Sequence, residues 1–324
     1  MSASEILDYS SSTTRPQVPE SDGEINAARI SSFCSAAISL TGNIVVLLVA
    51  TVFRHKLNVS SYALTIVYTS CAAIVFSINH VLSCPMIHIH KHELLIINNG
   101  IMQNTVLGRT VLCIFAFFVL YSAITSAALL VSKYFIICRM QSIGGVSFHA
   151  LHFLSCLLSL LWALSFAYAA WFSRTVFADN HEHPLRGRPE LYAKMGSASL
   201  TISLVILVIL ILFSFICMVF CTVRIAFKIA MMSDRRHKER QETLFRLLLT
   251  QTTLPFILLH LPILIFCTIG QTDLLPEIII DNMAIVYAWY PALVPFLVLW
   301  NLKGRITKCC SRKLRSKRTV TIIT

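Results

Sequence analysis

Charge is what this chain has least of. Only 13% of its 324 residues are Asp, Glu, Lys or Arg, where a water-soluble domain carries about a quarter. No charged residue falls in the middle of any long apolar run. That argues against ion- or proton-coupled transport, which relies on buried charge at the midplane. Met1–Asn26 is polar and lacks an apolar h-region, so no cleavable leader is expected and the first apolar run serves as its own insertion signal. A Gly-x-Ser-x-Gly elbow, a paired intramembrane Asp and a His-rich inner cluster are all missing, so no enzyme activity and no cofactor is expected. The segment Ser173–Lys194 holds no cysteine. Most of the eleven cysteines sit inside apolar runs as small hydrophobes, and no disulfide framework is indicated.

What is present is apolar length. Residues of the hydrophobic set make up 56% of the chain. The runs are continuous and lack the alternation of a membrane barrel, so the expected class is all-α integral membrane. Seven spans are placed: Ile30–Phe53, Val59–Leu82, Val106–Cys138, Phe148–Phe172, Ala198–Ile229, Thr243–Ile269 and Ile278–Trp300. Each reaches the roughly 20 residues that cross a bilayer. The expected organisation is an acidic arm over 1–27, a seven-helix bundle over 28–300 and a basic tail over 301–324.

Charge sidedness sets the expected orientation. With the N-terminus outside, 19 of the 27 Lys and Arg fall on inner segments, while of the 15 acids only Asp234, Glu239 and Glu242 do. The positive-inside rule then gives N-out, C-in. The net charge of +12 therefore belongs to a cytosolic membrane surface and implies no nucleic acid. The single sequon, Asn58-Val59-Ser60, falls on the inner side and stays unused.

The sixth span, TLFRLLLTQTTLPFILLHLPILIFCTI, organises the reading. Pro255 and Pro262 lie seven apart, so both rings share one face with Gln251. Each ring frees a carbonyl four residues earlier, that of Gln251 and that of Leu258. In hydrocarbon such carbonyls need partners, so this span is expected to be kinked inside a bundle. The seventh span repeats the device: Pro291 and Pro295 free the carbonyls of Tyr287 and Pro291. In the first span, Asn43 requires a partner on another helix.

Other segments carry weaker signals. The third span is aromatic at Phe115, Phe117, Phe118 and Tyr121 and ends beside Arg139. The fifth continues into the cytosol toward a basic loop, Ala230–Glu242, with Arg235, Arg236, Lys238 and Arg240. That loop suits anionic headgroups or a docked cytosolic protein. Leu302, Ile306 and Cys309 mark a short amphipathic helix on the inner leaflet. Cys309 and Cys310 beside it are candidates for palmitoylation. His88, His90 and His92 alternate in a loop, with His80, His181 and His183 also placed outside. A solvated polar loop explains them better than a metal site does.

Gly42-Asn43 with a following basic turn and Ser61-Tyr62, then Leu248–Thr252 with Pro255 and His260-Leu261-Pro262, then Tyr290–Phe296 before a basic tail, occur in an order that resembles the nematode seven-transmembrane chemosensory receptors of the Str/Srd type. The likeness covers roughly Ile30 to Arg305. The chain departs from it at Ile137–Met140, at Val294 and in the missing cysteine of the second outer loop. The resemblance implies a G-protein-coupled receptor in the plasma membrane, in a sensory cilium, for a small odorant-like ligand. By depth in the spans, the ligand-facing candidates are Phe115, Phe118, Thr201, His260 and Tyr287. Gln251, Pro255, Pro262, Pro291 and Pro295 would form the bends, and Arg139, Arg235, Arg236, Lys238 and Arg240 the face toward a heterotrimeric G protein. Pairing as a homo- or hetero-dimer is left open. The rival readings are a small-solute transporter or channel and an inverted, insect-type odorant channel, and the charge count opposes the second.

Overall fold

The computed structural model describes residues 22–52, 60–90, 93–102, 104–138, 145–177, 189–269, 283, 285–301 and 303. Helices α1 (Asp22–Val52), α2 (Ser60–Ser83), α3 (Thr105–Cys138), α4 (Gly145–Phe177) and α5 (Ala198–Ala230) are the first five spans. The sixth span is built of α6 (Arg235–Pro255), a π turn (Phe256–His260) and α7 (Leu261–Ile269). A shorter apolar helix, α8 (Ile285–Asn301), is the seventh. Among the described residues, six helices are thus long and apolar enough to cross a membrane, and α8 adds a shorter one.

The bundle keeps an apolar core but also exposes large apolar side chains and buries small polar ones, as suits a lipid surround. On α5, Ser203 and Ser214 are buried while Phe213, Ile216 and Val223 are exposed. Small residues let α1 and α2 approach: Ser35, Ser39, Ala73 and Ser77 are buried, and Ser77 donates to Ser39 at 2.7 Å. α3 lies at the centre, 61% buried over its span against 33–44% for the other long helices, and packs on α2, α4, α5 and α6. Trp162 on α4 donates its indole N–H to Ser203 O of α5 at 3.0 Å. Trp289 on α8 donates to Ser31 of α1 at 3.1 Å.

A three-stranded antiparallel sheet caps one end, in the order β1 (Pro85–His90), β2 (Glu93–Asn98), β3 (Glu190–Lys194). The sequence was read here only as polar loops. In the structure, Leu94↔Ala193, Leu95↔Tyr192 and Ile96↔Leu191 pair the loop before α3 with the loop before α5. Asn98 N–H also donates to Pro189 O at 2.9 Å, and Asn98 Nδ2 to Gly108 O at 3.2 Å. Gly108 is glycine for a reason: a Cβ there would meet the Pro189 ring. The sheet is thereby clamped onto the first turn of α3. Beyond it, Gly196 (φ +82°) takes the left-handed turn into α5 that a side chain would strain.

The basic loop expected over Ala230–Glu242 is shorter than its sequence suggested. α5 runs to Ala230 and α6 starts at Arg235. Asp234 caps it, accepting from the N–H groups of Arg236 (2.9 Å) and His237 (3.4 Å). Lys238 Nζ reaches back to Ala230 O at 3.0 Å, and Arg235 pairs with Glu239 at 3.0 Å on the exposed face.

Candidate functional site

Pro255 lacks the N–H that would close onto Gln251, and the backbone answers by changing pitch. The N–H of Phe256 bonds to Thr253 O, and five residues of π turn follow, closed by Leu261 N–H on Phe256 O. π turns inside helices recur at functional sites because they re-aim side chains. Here the turn ends on His260, which is fully buried. Its Nε2 lies 2.9 Å from Ser122 Oγ on α3. Ser122 Oγ donates to Val119 O at 3.0 Å. With that proton committed, Nε2 carries the hydrogen of the His260–Ser122 bond, and Nδ1 is left as a bare acceptor with no partner among the described residues.

Around this contact runs an aromatic layer. Phe115 and Phe118 are three apart on α3 and share a face with Ser122. Phe76 of α2 lies 5.9 Å from Phe115, 6.0 Å from Phe118 and 5.2 Å from Tyr290 of α8. Tyr287 of α8 is 6.3 Å from Phe115, buried, and its hydroxyl has no partner among the described residues. Two such polar atoms, on the sixth and seventh spans, thus sit among tilted and edge-on rings. Leaving such an atom unpaired costs about 1–3 kcal/mol. One turn before Pro255, Gln251 makes a long contact of 3.5 Å to Thr69 on α2.

The candidates picked from the sequence divide accordingly. Phe115, Phe118, His260 and Tyr287 converge in the core. Thr201 does not: it is exposed on α5, next to the fully buried Leu200. Sequence reasoning missed Ser122, Phe76 and Tyr290. Ser122 had a signal, a hydroxyl one turn from Phe118 in an oily span. Pro255 is buried and Pro262 half-buried. Pro291 and Pro295 are buried against α1.

At the opposite end Arg235 and Arg236 are exposed and Lys238 is half-buried. Arg139, the side chain of Arg240, and Cys309 and Cys310 lie outside the described residues. His80, grouped with the outer histidines by sequence, is instead buried within α2, 5.9 Å from the Phe115 ring. His181, His183 and His92, and the side chain of His90, lie outside the described residues. Among the described residues no cluster of His, Cys, Asp or Glu could hold a metal ion.

The chain matches the family of serpentine-type seven-transmembrane G-protein-coupled chemoreceptors called Str, over residues 28–182 and 192–303. It is a member of the Str chemoreceptor family. No curated protein matches it. The matched residues include all seven spans and both proline-bearing helices, so the family and the geometry describe the same bundle. An Str chemoreceptor is a multi-pass membrane protein of the receptor class, and the aromatic core between α2, α3, the sixth span and α8 is its candidate site.

Proposed function

We propose that this Str receptor detects a small lipophilic, volatile-type molecule arriving from outside the cell and signals to a heterotrimeric G protein from the plasma membrane of a sensory cilium. The ligand contacts Phe115, Phe118, His260 and Tyr287. Apolar walls with few polar groups suit such a molecule. One observation carries the reading: the π turn Phe256–His260, set between Pro255 and Pro262, brings a buried imidazole with a spare acceptor onto α3. A ligand that pairs with it favours one pitch of the sixth span over another, and unequal affinity for two arrangements is what activation needs. The basic end, with Arg235, Arg236, Lys238, Arg240 and Arg139, then faces the cytosol and the G protein.

The test is a calcium or second-messenger readout in cells carrying the receptor with an N-terminal tag, screened with volatile panels. Tag staining on intact cells and a saturable response to small lipophilic compounds are expected. Staining confined to permeabilised cells, or a panel-wide lack of response from a surface-exposed receptor, would overturn the proposal.

A further inference from the structure

A cavity lies at the sheet-bearing end, between α1, α2 and the turn after β2. Its volume is about 520 Å³. One cation, Arg29, lines it. Arg29 Nε donates to Asn99 O at 2.7 Å, which fixes the guanidinium while leaving its terminal nitrogens unengaged among the described residues. None of the lining residues is acidic. Among the described residues, Arg29 has no carboxylate partner. A guanidinium is always charged and presents a planar fork that matches carboxylate or phosphate oxygens.

The surroundings make this a pocket with a floor. Asn99 N–H bonds to Cys84 O, Gly100 N–H to Ser83 O and Met102 N–H to Leu82 O, so the turn is tied to the end of α2. Asn99 is fully buried and its side chain meets Met86. Cys84 holds a left-handed backbone (φ 33°), and its thiol meets Ser32 at 3.5 Å. Burial pushes the Cys84 thiol up, opposed by the Ser32 hydrogen bond and the charge of Arg29. The thiol therefore stays neutral and the cavity's formal charge is that of Arg29. The remaining wall is oily: Phe33 and Ile101 line the cavity and are 49% and 58% exposed.

We propose that this cavity is a binding site, separate from the aromatic core, for an amphipathic anion, with its carboxylate or phosphate on Arg29 and its hydrocarbon tail along Phe33 and Ile101. A free fatty-acid carboxylate and a lipid phosphate share this chemistry. The site goes beyond the proposed odorant site, since it uses no residue of the core layer.

The experiment uses the full chain in phosphatidylcholine nanodiscs and measures saturable binding of labelled decanoate, with decanol as a neutral competitor. Arg29→Gln should weaken decanoate binding roughly tenfold or more, as expected for losing a charge-assisted hydrogen bond. Arg29→Lys should retain most of it, and Val81→Trp, which fills the cavity, should abolish it. Decanol should compete poorly. Equal binding by the Arg29→Gln and parent proteins, unimpaired binding by Val81→Trp, or equal competition by decanol would overturn the proposal. Arg29→Lys and Val81→Trp carry the test should Arg29→Gln fail to fold. Adding phosphatidylglycerol distinguishes the sources. Weaker decanoate binding in the parent alone assigns the site to a lipid phosphate, and unchanged binding assigns it to the free carboxylate.

Discussion

Asn43 Nδ2 on α1 donates to the carbonyl of Pro291 on α8 at 3.2 Å. That carbonyl is the one Pro295 leaves without a helical donor, so a polar residue on the first span answers a proline on the seventh. Asn43 also bonds Ser39 O at 2.9 Å and Ser39 Oγ at 3.2 Å, and Ser39 is held by Ser77 of α2 at 2.7 Å. One step earlier, Gly42 clears room for the Pro295 ring: a Cβ there would lie 2.6 Å from Pro295 Cγ. The pair Gly42-Asn43 is thus shaped to the two prolines of another helix.

Asn43→Leu should destabilise the receptor by about 1 kcal/mol, the usual scale of an interhelical hydrogen bond in a membrane. Thermal unfolding in detergent reads this directly. An unchanged midpoint would mean that another group takes over the Pro291 carbonyl.

Gly42→Ala should cost about 1–3 kcal/mol through overpacking against the Pro295 ring. Combined with Pro295→Ala, the loss should shrink, because the ring that obstructs the new methyl is gone. A double-mutant cycle with no coupling between the two sites would contradict the contact.

His260→Phe keeps the ring and removes both nitrogens. Surface expression should persist while the ligand response falls at least severalfold, since the Ser122 bond and the spare acceptor are both lost. Ser122→Ala should give a smaller change in the same direction. A full response from His260→Phe would move the ligand elsewhere.

Pro255→Ala restores the donor that the backbone lacks at Gln251. The π turn at Phe256–His260 should then relax toward α, turning His260 away from α3. The expected outcome is an altered agonist dose–response with surface expression retained. An unchanged dose–response would remove this bend from the signalling account.

Gly108→Ala should push Pro189, and with it β3, off the first turn of α3. Faster limited proteolysis between α4 and α5 would report it, with the helical content unchanged by circular dichroism.

Much of this was legible in the sequence, for reasons tied to particular residues. A bilayer asks for long apolar runs, so the spans announce themselves. Proline names its own freed carbonyl, so the need at Pro291 and the unsatisfied Asn43 could both be read. What could not be read was that each answers the other, because they lie far apart in the chain. The pitch change after Pro255 was also hidden. Two prolines specify a bend but not the register that follows, and the Ser122 partner depends on that register. The sheet escaped because Glu93–Asn98 and Glu190–Lys194 are short and their pairing is non-local. Thr201 was chosen by depth alone, and depth says nothing about which side of α5 a residue occupies.

The ladder between β2 and β3 has a practical consequence for handling the protein. The described cysteines are free thiols, and what joins these two loops is peptide hydrogen bonding reinforced by Pro189 against Gly108. Dithiothreitol should leave that end of the molecule intact, and synthesis in an extract without an oxidising system should yield it correctly assembled.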